Sequence, residues 1–99
     1  MLFGRLLGLD ADDADVRYAR GEVYRLRGDG GDLQHAADDL ARASQSARAP
    51  LDTWRSLGLV EKQRGNAARA VASFEKYLAL APDAPDAGLV RTYVAELKP

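Results

Sequence analysis

His35 is the only imidazole in the chain and therefore the first residue to test for acid–base or metal chemistry. A metal site needs several converging ligands, and a general base needs a nucleophile or a substrate pocket beside it. His35 falls in the first turn of a predicted helix among polar neighbours, and no H-E-x-x-H pattern surrounds it. It reads as a surface helix residue. The run Asp10-Ala-Asp12-Asp13-Ala-Asp15 has the carboxylate density of a calcium loop but not its geometry. Asp15 stands where the sixth loop position needs glycine, and Gly21 where the twelfth needs a bidentate glutamate. These carboxylates fit a connector leading into a helix, where the helix dipole favours negative charge. The Gly28-Asp-Gly-Gly31 turn is not followed by the Lys-Ser/Thr of a phosphate-binding loop, and no strand precedes it. No base is arranged near the scattered Ser and Thr residues. The expectation is no catalytic residue, no metal, no cofactor and no enzyme activity.

Composition narrows the partner. A net charge of −1 provides no basic excess for a nucleic-acid backbone or an anionic membrane. The apolar stretch from Met1 to Leu9, broken by Arg5, is far shorter than the roughly 20 residues that span a bilayer, and it lacks the order of a secretion signal. With 46% hydrophobic and 29% charged residues, the chain has ordinary globular composition. The absence of cysteine rules out disulfides and thiolate metal sites but leaves cytoplasm and periplasm both open. Arginine outnumbers lysine and alanine is abundant, which points to a GC-rich bacterial gene.

The elements that would position any site are helical. No alternating Val/Ile/Thr-rich run and no Asn-Gly hairpin turn occurs. Breaks at 28–32, 49–50, 65–66 and 81–85 leave predicted helices over 14–27, 33–48, 51–64, 67–81 and 86–97. Asp32 and Asn66 stand at N-cap positions, Pro50 and Pro85 in first turns, and Gly28 and Gly65 where a left-handed residue closes a helix.

Within these helices Trp54, Leu57, Gly58 and Glu61 share one face, and Ala70, Phe74, Tyr77 and then Pro82 follow Gly65. This W-x2-L-G…G…A-x3-F-x2-Y…P spacing resembles the tetratricopeptide repeat, a helix–turn–helix unit of about 34 residues. Residues 51–84 have that length, and Glu61 departs from the tyrosine usual there. Gly21, Tyr24, Gly28, Ala36, Leu40 and Ala43 carry a weaker copy over 14–50, with about three extra residues in the turn. There Arg17 and Arg20 replace Trp and Leu, and Arg48 replaces the terminal Pro.

The resemblance implies an all-α fold, an α-α superhelix or solenoid of antiparallel helix pairs. It comprises about two such repeats plus a C-terminal capping helix over 85–99. That last helix would bury Leu89, Val90, Tyr93, Val94 and Leu97 against the preceding pair, because a solenoid end must be shielded. The rings of Trp54, Phe74 and Tyr77 would pack on the Tyr24/Leu40 side of the neighbouring unit. Residues 1–13, containing Phe3, Leu6 and Leu7, read as the second half of a helix. It is either the remnant of a preceding repeat in a longer array or a degenerate N-terminal cap, and a homodimer through that end is one expectation.

The resemblance also implies a concave groove lined by the first helix of each pair. In the first repeat it would present Asp15, Tyr18, Glu22, Arg25 and Leu26, and in the second Asp52, Arg55, Leu59, Lys62 and Gln63. This mixture suits an extended peptide bearing a carboxylate and an apolar anchor. The Lys/Asn clamp that some family members close on a C-terminal carboxylate is not reproduced, since Tyr18 and Glu22 occupy the relevant places. The implied function is a protein–protein interaction module holding a peptide or subunit in that groove. The alternative is an assembly appendage that self-associates or packs on a sister domain of a larger bacterial protein, such as an envelope peptidase or lipoprotein.

Overall fold

The computed structural model describes residues 13–98, and these form five α-helices with no strand among the described residues. They are α1 (Ala14–Arg27), α2 (Asp32–Ser44), α3 (Asp52–Gln63), α4 (Ala67–Leu80) and α5 (Ala87–Leu97). Each helix packs on the next in chain order, and α1 also touches α3. Short connections make sequential neighbours antiparallel, so the chain is a stack of helical hairpins.

Local chemistry sets the ends. Asp13 caps α1, its Oδ1 accepting from the Asp15 amide at 2.8 Å. Gly28 closes α1 with φ 67°, and Gly65 follows α3 with φ 82°. At Gly65 the turn is a Schellman arrangement: Asn66 N–H donates to Glu61 O at 2.9 Å and Gly65 N–H to Lys62 O at 3.2 Å.

Several expected details are different. Asp32 is the first residue of α2 rather than its cap, which is Gly31. Its carboxylate turns back to accept from the Asp29 amide and from Arg27, clasping the glycine-rich turn. Asn66 holds the N-cap position of α4 as expected, but its side chain makes no cap bond, and its amide donates to Glu61 Oε2 instead. Pro50 and Pro85 stand one residue before the caps Leu51 and Asp86, not within the first turns. Helix α2 ends at Ser44, short of 48. There the Ser44 hydroxyl donates to Ala41 O and Ser46 Oγ accepts from the Arg48 amide, so side chains take over backbone bonding. The half-helix expected over 1–13, and the homodimer expected through it, lie outside the described residues except for Asp13.

Close approach within each hairpin requires a glycine. A Cβ on Gly21 would stand 2.8 Å from Leu40 Cγ, and one on Gly58 2.4 Å from Phe74 Cε1. Two buried clusters result. Ala36, Ala37, Leu40 and Val60 join Tyr18, Tyr24, Leu33 and Leu57; Ala70, Phe74, Tyr77 and Val90 join Trp54, Tyr93, Val94 and Leu97. The rings of the second hairpin therefore pack on α5, not on the Tyr24/Leu40 side as expected. Val60 and Leu57 of α3 fill that role. Leu89 is exposed rather than packed. It precedes Val90 by one residue, and about 100° of helical rotation carries it off the buried stripe.

Where Trp54 and Leu57 stand in the second hairpin, the first has Arg17 and Arg20. Both reach the buried Asp39, Arg17 Nη1 at 3.1 Å and Arg20 Nη2 and Nε at 2.6 and 2.8 Å. A charged cluster thus does in one hairpin what apolar packing does in the other.

Replacing Gly58 with alanine should lower unfolding free energy by about 1–3 kcal/mol despite the better helix propensity of alanine, because the enclosed Phe74 ring cannot yield. Urea denaturation measures this. The double variant Gly58→Ala/Phe74→Leu should recover part of the loss.

Candidate functional site

The face that α1 and α3 share carries most of the groove residues expected from sequence. On α1, Tyr18, Glu22 and Arg25 stand three or four residues apart and so project on one side. Arg25 grips Glu22 with two bonds, Nε to Oε1 at 2.9 Å and Nη2 to Oε2 at 2.8 Å. Burial raises the Glu22 carboxyl, but the Arg25 guanidinium outweighs it and the pKa ends below the ordinary value. The Tyr18 phenol is pushed up by burial and then by the Glu22 and Asp52 carboxylates. Between the helices lies the Ser56 hydroxyl, fully enclosed beside Tyr18 and Glu22 yet without a hydrogen bond of good geometry.

On α3, Arg55 points to the start of α5. Its Nη1 donates to Asp86 Oδ2 at 2.9 Å, and Asp52 is 3.6 Å away on its other side. The second Asp86 oxygen accepts from the Tyr77 hydroxyl at 2.6 Å. Asp86 thereby ties α3, α4 and α5 together at one point. The Tyr77 and Arg55 bonds hold its carboxyl below the ordinary range, while burial and then the Asp86 bond push the Tyr77 phenol up to about 12.

Farther along α3 the face changes character. Leu59 is half-buried in the second cluster, and the Lys62 ammonium lies 4.9 Å from the centroid of the Tyr93 ring on α5. Gln63, Asp15, Asp52 and Leu26 are exposed. The structure thus brings Tyr18, Glu22, Arg25 and Arg55 into one electrostatic network and directs Leu59 and Lys62 toward α5. Asp86, the Tyr77 hydroxyl, Ser56 and Tyr93 are members that sequence reasoning missed. The one available signal was Asp86 following Pro85 at a helix start. His35 is exposed and its ring lies 5.0 Å from that of Tyr24.

On the opposite side, α2 and α4 border a cleft of about 410 Å3. Its polar groups satisfy one another. Arg64 donates to Glu61 and to Gln34 at 2.7 Å each, Gln34 donates to Asp38 at 2.9 Å, and Arg69 stands 3.7 Å from Glu61. Glu61, in the place where the family usually has tyrosine, is buried under this cage of cations.

The Tyr77–Asp86 bond has a pH signature. A phenol whose folded pKa is raised contributes stability that is complete below about pH 10 and is lost as pH rises toward 12. The stability gap between the native chain and Tyr77→Phe should therefore close across that window in chemical denaturation. At the acid end, the depressed Asp86 pKa means its contribution is present above about pH 4 and is lost below.

Comparisons with known proteins agree with this architecture. The family model described as tetratricopeptide repeat matches residues 49–95, which take in α3, α4 and nearly all of α5. Searches of curated proteins and of solved structures gave no match. Such repeats are generally protein–protein interaction modules and typically non-catalytic. No described helix is long and apolar enough to cross a membrane, and no group of metal-ligating side chains occurs among the described residues. The stretch 49–95 thus matches the tetratricopeptide repeat, and the hairpin closing on Gly21 repeats the close helix approach made at Gly58.

Proposed function

We propose that the chain holds a peptide or protein subunit along the face built by α1 and α3 and bordered by α5. The observation that carries this reading is the convergence of Tyr18, Glu22, Arg25 and Arg55 from two helices onto one surface, continued by Lys62 beside Tyr93.

The pairing also refines what the face would read. Arg25 is engaged by Glu22, and Arg55 by Asp86 and Asp52. Arg25 is held along its own helix and Arg55 braces α3 against the start of α5, which leaves Lys62 as the cation for a partner carboxylate. Asp15 and Gln63 are exposed to contact the rest of an extended segment. An apolar anchor would lie against Leu59 and the Tyr93 ring.

A second reading, packing on a sister domain, draws support from Val23, which leaves 60% of its surface exposed on α1 and is not among the groove residues. Exposed apolar groups on one helix are what a docked domain would cover.

The double change Lys62→Glu/Gln63→Glu should weaken capture of the native partner by the full-length gene product at least about tenfold, the scale of one lost charge pair turned repulsive. Circular dichroism should show unchanged helix content. Capture that survives intact would reject the α1/α3 face. Loss of capture on Val23→Asp alone would favour the sister-domain reading.

A further inference from the structure

The connection between α2 and α3, together with α3 and α4, encloses a second cleft of about 410 Å3. It shares no residue with the α1/α3 face. Ser44, Gln45 and Ser46 line one side, and the rest apart from Lys76 is apolar: Ala47 and Ala49 from the connection, Leu51 and Trp54 at the start of α3, and Leu80 at the end of α4. Leu51 and Leu80 keep 49% and 45% of their surface exposed although they border a concavity. Apolar groups in that state gain from any apolar side chain that displaces water between them.

One charge stands in this setting. Lys76 lines the cleft with its ammonium 5.8 Å from the centroid of the Trp54 ring, and no carboxylate lines it. The contrast with the other cleft is direct, since the arginines there are already neutralised by Glu61. Lys98 likewise has Glu75 at 2.9 Å. Lys76 has no ion-pair partner among the described residues, and its positive charge beside apolar walls is what a carboxylate complements.

We propose that this cleft is a docking site for a short extended peptide segment in which a leucine is followed by an aspartate. The leucine side chain enters between Leu51, Trp54 and Leu80, and the carboxylate meets Lys76. The volume lies within the range of about 300–1,000 Å3 in which ligand clefts occur.

Trp54 is the only tryptophan in the chain and lines the cleft, so its fluorescence responds to an occupant there. The probe is the blocked pentapeptide acetyl-Ser-Leu-Leu-Asp-Ser-amide, compared with its Asn counterpart and with one carrying Lys in place of Asp. The Asp peptide should produce a saturable change in Trp54 emission and bind about three- to fivefold more tightly than the Asn peptide at low salt, the scale of one partly exposed ion pair. The difference should shrink in about 0.5 M salt. Lys76→Gln should abolish it with the melting temperature preserved, and Lys76→Glu should shift the preference to the Lys peptide.

Absence of a saturable change, equal binding of the Asp and Asn peptides, or discrimination that survives Lys76→Gln would each overturn the proposal. A dimer in light scattering that Leu80→Asp dissociates would place a second copy in the cleft and overturn it equally. Since Lys62 and Gln63 lie on the other face, their variants should leave this titration unchanged, which separates the two sites.

Discussion

The architecture depends on a steric constraint: within each hairpin, a buried side chain of the second helix lies where a Cβ of the first would be. Phe74 occupies that place over Gly58, and Leu40 over Gly21. Only a residue without a side chain lets the axes approach this closely, and the contact sets how α3 sits on α4 and α1 on α2. Everything farther out inherits that geometry. The Arg55–Asp86–Tyr77 bridge forms because α4 lies close enough to α3 for one carboxylate to serve both.

The two hairpins solve the same packing problem with different chemistry. In the second, Trp54, Phe74 and Tyr77 make an apolar layer that α5 completes with Val90, Tyr93, Val94 and Leu97. In the first, Arg17 and Arg20 converge on Asp39. A buried ion pair offsets its own desolvation only when its geometry is good, and here two guanidinium groups share the two carboxylate oxygens. The Arg27–Asp32 clasp holds the glycine-rich turn between α1 and α2.

Charges that stabilise the stack are thereby removed from recognition. Arg25 and Arg55 stand on the expected binding face, yet each has a carboxylate partner. Among the described residues Lys62 and Lys76 do not; each lies instead over an aromatic ring, Tyr93 in one case and Trp54 in the other. A cation over a ring keeps its charge available to a ligand while its stem contributes packing. The chain therefore separates structural arginines from lysines open to partners, on two surfaces.

The sequence by itself determined the helices, the hairpin turns and the likeness of the second hairpin to a tetratricopeptide repeat. Helical spacing of Gly58, Ala70, Phe74 and Tyr77 and the punctuation at Gly28 and Gly65 are local signals, set by backbone sterics within a few residues. Helix limits were legible except where side chains captured the backbone, as Ser44 and Ser46 did, or bonded elsewhere, as Asp32 and Asn66 did. Only the tertiary structure decided which cluster each ring joined, that α5 rather than the first hairpin covers Phe74, and which charges are spent on one another. Asp86 finds Arg55 across 31 residues, and Asp39 finds Arg17 across 22. Coulomb and hydrogen-bond energies depend on distance in space, and a one-dimensional spacing records that distance only inside a single helix.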